Sequence, residues 1–307
     1  MVKRKIIIDC DPGHDDIMAI LTALAHSQEL EILGFCTVAG NQTLDKVTAN
    51  LLKVEDYLGL DIPVYRGAEM PLERPGVPQP AAHGESGMDG PVLPDPVRSP
   101  QSLSALEFYH QTLQRHGEVT IVALAPLTNL GQLLLRYPED GNRIEQIALM
   151  GGALNGGNIN RYAEFNIWHD PEAAKIVFDS GIPVIMAPLE VCYAGGIMLS
   201  EVSRFANERR VSRLVYDLLD FYCGYARKRN WDSTAIFDLI PVIWLLKPQL
   251  FVAQPGRVKI VLDGQDTQGQ TLFTPGEGNH LVLTDTVREE CIAVFFDAVD
   301  RLDSQYN

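Results

Sequence analysis

Apolar positions along the 307-residue chain recur in two alternating rhythms. Residues 5–9, with the run Ile6-Ile7-Ile8, predict a buried strand, and residues 14–26 predict a helix with Ile17, Ile20, Leu21 and Leu24 on one face. A second strand is expected at 31–38, entering the loop Ala39-Gly40-Asn41-Gln42-Thr43. Helical spacing returns in Val47, Leu51, Val54 and Leu58 and stops near Gly59. Further strands are expected at 119–124, 144–149 and 183–187, each beside a helical pattern. The alternation runs on without a linker-like break, which predicts one α/β domain over residues 1–307. Its expected form is Rossmann-like, a mostly parallel central sheet flanked by helices, with ligands beyond the carboxyl ends of the strands. Residues 71–100 break the rhythm with eight prolines and four glycines, so they read as a mobile, functional loop. The helical stretch 200–229 is rich in aromatic and apolar residues (Phe205, Leu214, Phe221, Tyr222, Tyr225). Those residues suit a ligand pocket, a subunit contact or ordinary packing.

Composition narrows the partners. The formal charge is −15, and such a surface repels phosphate polymers and anionic membranes, so neither nucleic acid nor membrane is an expected partner. A neutral or cationic small molecule suits it better. There is no run of 18 apolar residues, and only three apolar residues separate the basic start Met1-Val2-Lys3-Arg4-Lys5 from Asp9. Five scattered cysteines (Cys10, Cys36, Cys192, Cys223, Cys291) read as reduced, buried thiols, and a cytoplasmic location is the expectation.

The densest chemical signal follows the first strand. In Asp9-Cys10-Asp11-Pro12-Gly13-His14-Asp15-Asp16, four acids occupy eight positions. Two carboxylates about 4 Å apart at a partly buried site repel by about 4 kcal/mol. A bound cation, a raised pKa or a helix N-terminus can offset that. Neighbours on a helix point about 100° apart, so Asp15 and Asp16 are expected to divide the work, one facing a metal and the other a ligand beside it. Calcium takes six to eight oxygen ligands, and no His/Cys cluster here competes for a softer ion. An ordinary acidic helix start would also place aspartates here, though rarely four around Pro-Gly.

This run resembles the N-terminal signature of the inosine–uridine-preferring nucleoside hydrolases. The resemblance continues in family order through Val38-Ala39-Gly40-Asn41-Gln42-Thr43, His83-Gly84-Glu85-Ser86-Gly87 and Ala125-Pro126-Leu127-Thr128-Asn129. It extends through Leu149-Met150-Gly151-Gly152 to Asn158, then Ala163-Glu164-Phe165-Asn166 and Asp170-Pro171-Glu172-Ala173-Ala174. It implies the nucleoside hydrolase fold and Ca²⁺-dependent hydrolysis of the N-glycosidic bond of ribonucleosides. By the resemblance, Asp11, Asp16, the Leu124 carbonyl and Asp238 hold calcium, and Asp11 activates the water. Asp15, Asn41, Asn158, Glu164 and Asn166 would bind ribose. A homodimer or homotetramer is implied as well.

Two positions depart from the pattern. Phe237 stands where many relatives have a histidine before the distant aspartate, and Ala81 and Ala82 stand near an expected asparagine. With that histidine absent, two remedies are open: His83 is the expected acid for the leaving base, or alternatively Phe237 and Trp231 stack on the base, which favours purines. Two alternatives compete. A phosphatase-like Asp-x-Asp site is opposed by Pro12-Gly13-His14, which does not fit it. A catalytically weak nucleoside- or ribose-binding protein that keeps the calcium cage is opposed by the retention of Asp11.

Overall fold

The computed structural model describes residues 2–264 and 266–306. The chain opens with β1 (Arg4–Cys10), α1 (His14–Ala25), β2 (Leu30–Thr37), α2 (Leu44–Leu58) and β3 (Val64–Arg66), close to the expected elements. After the short helix α3 (Pro80–His83) come α4 (Ala105–His116), β4 (Val119–Ala123), α5 (Thr128–Arg136) and β5 (Ile144–Met150). Next are α6 (Phe165–His169), α7 (Pro171–Asp179), β6 (Val184–Ala187), α8 (Leu189–Ala194) and β7 (Ile197–Met198). The chain continues with α9 (Arg210–Tyr222), α10 (Gly224–Lys228), β8 (Ser233–Thr234), α11 (Leu239–Leu246) and β9 (Phe251–Ile260). It closes with β10 (Thr271–Pro275), β11 (His280–Thr286) and α12 (Arg288–Tyr306).

Nine strands form one sheet in the order β10-β9-β11-β6-β5-β4-β1-β2-β3. The seven from β11 to β3 are mutually parallel, and β9 and β10 extend the sheet antiparallel at one edge. Ile6, Ile7 and Ile8 are fully buried, as expected of a central strand covered on both faces. Ile6 and Ile8 join a core with α1, α9, α11 and α12, while Ile7 joins the opposite core with α4, α5 and α7. The β9–β11 strands are absent from the sequence expectations, because Pro255-Gly256 reads as a turn yet lies within β9. No described helix is long and apolar enough to cross a membrane.

From β1 the chain runs outward through β2 to β3, then crosses back to β4 on the other side of β1. Adjacent carboxyl ends then diverge and open a crevice at the switch point. Leu124, just past β4, is tied there by its N–H to the Asp9 carbonyl (2.8 Å), and Val38, just past β2, by its N–H to the Cys10 carbonyl (3.1 Å).

Candidate active site

Pro12-Gly13 ends β1 and turns the chain into α1. Gly13 has no side chain with which to cap that helix, and Asp16 does so instead. Its Oδ2 accepts the Gly13 N–H (3.0 Å) and its Oδ1 accepts the Asp11 N–H (3.1 Å). Asp11 is clasped in turn by the loop after β2, where the Asn41 N–H donates to its Oδ2 at 2.6 Å. The Asn41 amide donates to the Asp11 carbonyl (3.2 Å) and to Asp16 Oδ2 (3.4 Å). Only glycine permits this approach, since a Cβ on Gly40 would lie 2.1 Å from Asp11 Oδ2.

Asp238, immediately before α11, brings a third element to the same place. Oxygens of Asp15, Asp16 and Asp238 lie within 4.8 Å of one another, and all three residues are buried. Asp15 and Asp16 therefore converge on Asp238, where the helical spacing alone set them apart. Asp11 borders this group rather than belonging to it. Burial first, then repulsion from Asp16, holds the Asp11 carboxyl well above its ordinary range. Asp238 is raised likewise by burial and then by Asp15, Asp16 and Asp11, and Asp16 is raised to about 7 by burial and Asp15. Asp15 Oδ2 accepts the Tyr222 hydroxyl at 3.3 Å, whereas Asp15 Oδ1 is buried without any partner among the described residues. Three buried, mutually repelling carboxylates that offer only oxygen to the space between them fit a hard cation.

The Leu124 carbonyl accepts the Asn166 amide at 3.0 Å. Glu164 and Asn166, two residues apart, would share a face if extended, but Glu164 caps α6. Its carboxylate accepts the N–H groups of Asn166 (2.7 Å), Ile167 (3.1 Å) and Gly152 (2.9 Å), while burial raises its pKa to about 7. Asn158 Oδ1 accepts the Phe165 N–H at 2.9 Å. These residues therefore build the rim before any ligand arrives.

His83 lies over Gly13, where a Cβ would meet its Nδ1 at 2.5 Å. It is buried, and that burial lowers its pKa to about 4. Phe237 lies in the turn ahead of α11, edge-on to Tyr193 with ring centroids 5.4 Å apart. Trp231 is not with it: this ring is 47% exposed and packs on Tyr225, with the Arg229 guanidinium 3.6 Å from the Tyr225 ring. Beneath the site, Asp9 Oδ2 accepts the Tyr109 hydroxyl (2.8 Å) and the Asn129 amide (2.9 Å), while burial raises Asp9 to about 7. Nothing local in the sequence marks Tyr109 for that role. At the amino ends of β5 and β6 lies a cavity of about 600 Å³ with no titratable lining residue, so void volume does not mark the chemistry.

A doubly wound α/β sheet with buried carboxylates and amides at its switch point defines a class, the α/β proteins that take a small polar ligand beyond the carboxyl ends of their strands. Residues 6–301 match the inosine-uridine preferring nucleoside hydrolase family, and the chain belongs to it. A pyrimidine-specific ribonucleoside hydrolase RihA of Shewanella woodyi is 45% identical over 295 residues, covering 93% of this chain and 94% of that protein. The Escherichia coli K12 protein of the same name is 42% identical over 302 residues, covering 95% and 97%. Among solved structures, a purine-preferring ribonucleoside hydrolase from Gardnerella vaginalis superposes with TM-score 0.92 at 27% identity, covering 98% of this chain and 100% of that one. A plant nucleoside hydrolase, PpNRh1, gives 0.87 at 30% identity, covering 99% and 100%.

Proposed function

We propose that this chain hydrolyses the N-glycosidic bond of ribonucleosides, pyrimidine ribonucleosides foremost, releasing free base and ribose with the help of Ca²⁺. One observation carries the reading: a buried group of acids with an unpartnered oxygen at the carboxyl end of β1. The pyrimidine preference is supported by the 42–45% identical relatives.

Asp11, Asp16, Asp238 and the Leu124 carbonyl would hold the ion. When bound, it neutralises the clustered acids and lowers the pKa of a water in its shell. Asp11 is oriented through Oδ2 by the Asn41 N–H, which leaves Oδ1 to take the proton of the attacking water. Asp15 Oδ1, without a protein partner among the described residues, and the amide oxygens of Asn41 and Asn166 are available to accept ribose hydroxyls. Asn158 and Glu164 complete the ribose contacts, and Phe237 stacks on the base. As the bond breaks, positive charge spreads onto the sugar ring, and the surrounding carboxylates stabilise that state more than the neutral substrate. Because the acids are buried, the 71–100 loop moves to admit the nucleoside. The same reading takes the protein as a cytoplasmic homodimer or homotetramer, which light scattering on the eluted protein would size.

The test offers uridine, cytidine, inosine, adenosine and guanosine, and measures released ribose before chelation, after it, and after calcium is restored. Turnover should vanish on chelation and return with calcium, pyrimidines leading. No ribose from any nucleoside, or full activity in demonstrably metal-free protein, would overturn the reading.

A further inference from the structure

Three consecutive residues of the antiparallel edge, Gly269, Gln270 and Thr271, reach back to the rim that carries Glu164. Thr271 opens β10, and its buried side chain makes two bonds to one residue of the turn after β5. The hydroxyl accepts the Ala153 N–H at 3.0 Å and donates to the Ala153 carbonyl at 2.6 Å. A single side chain thus satisfies both backbone groups of a buried residue, in place of a strand partner. Beside it, Gln270 pairs with Ala163, the residue before Glu164, in an isolated antiparallel bridge. Gly269 seats against α6 itself, where a Cβ would lie 2.6 Å from the Trp168 Cα.

These contacts bracket one carboxylate. Of the three N–H groups that Glu164 accepts, those of Asn166 and Ile167 belong to the helix it caps and move with it. The third, from Gly152 at 2.9 Å, ties the carboxylate to the end of the sheet. Gly152 has a left-handed backbone (φ 83°), and a Cβ on it would lie 3.0 Å from Thr271 Cγ2. Its neighbour Ala153 is the residue that Thr271 holds, and the next two, Leu154 and Asn155, donate their N–H groups to Glu190 of α8 (2.7–3.1 Å). Without the Thr271 hydroxyl, the Ala153 N–H and carbonyl would be buried and unpaired, and the turn would have to shift to satisfy them.

We propose that Thr271 is a positioning residue for the Glu164 carboxylate, so that the antiparallel edge of the sheet belongs to the ribose side of the site. This rests on the reading that the chain binds ribonucleosides, with Glu164 among the ribose contacts. Held by its own helix alone, the carboxylate would pivot with α6; tied also to Gly152, it keeps one place as a ribose hydroxyl arrives. A displacement of about 1 Å at such a contact costs a large factor in rate. The acids that would hold calcium stand on other elements and keep their places.

Thr271→Val keeps the shape of the side chain and removes both bonds, whereas Thr271→Ser keeps the hydroxyl. On uridine, kcat/KM should fall about tenfold in Thr271→Val and stay within about twofold of wild type in Thr271→Ser. Calcium affinity, read by calorimetry with the metal alone, should be the same in both. The deciding comparison adds Thr271→Val to Glu164→Gln, where the further loss should be under about twofold because both act on one contact. A further loss of about tenfold would show that Thr271 works independently of Glu164 and would sink the proposal. Undiminished turnover in Thr271→Val would sink it too, as would a serine variant no better than valine, or calcium binding that weakens along with the rate. Should Thr271→Val not fold, Thr271→Ala takes its place in the same comparison, since water can then reach the Ala153 groups. Failure of both to fold would make Thr271 a staple of the fold and refute the positioning role. Wild type is assayed first: no ribose from any nucleoside defeats the functional reading, whereas an active wild type with an unimpaired valine variant defeats this proposal alone.

Discussion

The acidic floor of the site and its aromatic wall are held by different means. Asp11, Asp16 and Asn41 leave strands or open a helix, and backbone N–H groups lock the two carboxylates at 2.6–3.1 Å. His14, His83, Phe221 and Tyr222 come from a helix start, the 71–100 loop and α9, and they meet mainly as rings 5.1–5.9 Å apart. Directed hydrogen bonds tolerate little displacement, whereas ring contacts tolerate repacking. Under the proposed function, the steps common to all nucleosides would rest on the rigid scaffold, and discrimination between bases on parts that can vary. A purine-preferring structure that superposes at TM-score 0.92 and pyrimidine-specific relatives at 42–45% identity fit that division.

The strongest way to break the comparison is at the floor. Asp11→Asn should lower kcat by about 10³-fold on every nucleoside alike, as expected for loss of a general base. Asp238→Ala should do the same and weaken calcium binding by calorimetry. A loss confined to some bases would show that the floor discriminates. Gly40→Ala leaves all polar groups in place but inserts a Cβ where Asp11 Oδ2 lies 2.1 Å away. Steady-state rates should fall by about 10²-fold with the fold intact by circular dichroism.

At the wall, Phe237→His should change which base leaves fastest, altering the ratio of uridine to inosine turnover by about tenfold. An equal change for both would join wall to floor. The smallest effect lies under the loop, at His169, where both ring nitrogens are buried without partners among the described residues and burial lowers the pKa to about 4. Unfolded histidine titrates near 6.5, so between those values the native state binds fewer protons than the unfolded chain. Its contribution to stability is therefore lost as pH falls from about 6.5 toward 4. His169→Phe should raise stability by about 1 kcal/mol at pH 8, and by more at pH 5, in urea titrations.

Much of the scaffold is legible locally. The first strand and helix, expected at 5–9 and 14–26, are Arg4–Cys10 and His14–Ala25, and the expected stop at Gly59 coincides with its left-handed backbone (φ 67°). Apolar spacing carries this, because burial of one face follows the period of the element. The antiparallel edge is not legible, since Pro255 and Gly256 carry the signal of a turn inside β9. Glu164 and Asn166 mislead for another reason. Extended spacing and helix capping make different use of the same polar pair, and only the three N–H groups that reach the Glu164 carboxylate decide between them.

Residue types and short spacings determined which chemistry is available: four acids around Pro-Gly, hard oxygen donors, and a strand delivering them to an edge of the sheet. The tertiary structure decided the rest. It carried Asp238 from the far half of the chain to Asp15 and Asp16, buried an oxygen with no partner, and set His14 between His83 and the Asp89 carbonyl. Periodicity and turn chemistry act over a few residues, so they fix local direction. Which distant groups meet, and which polar atoms are left without water, depends on how the sheet is ordered and packed.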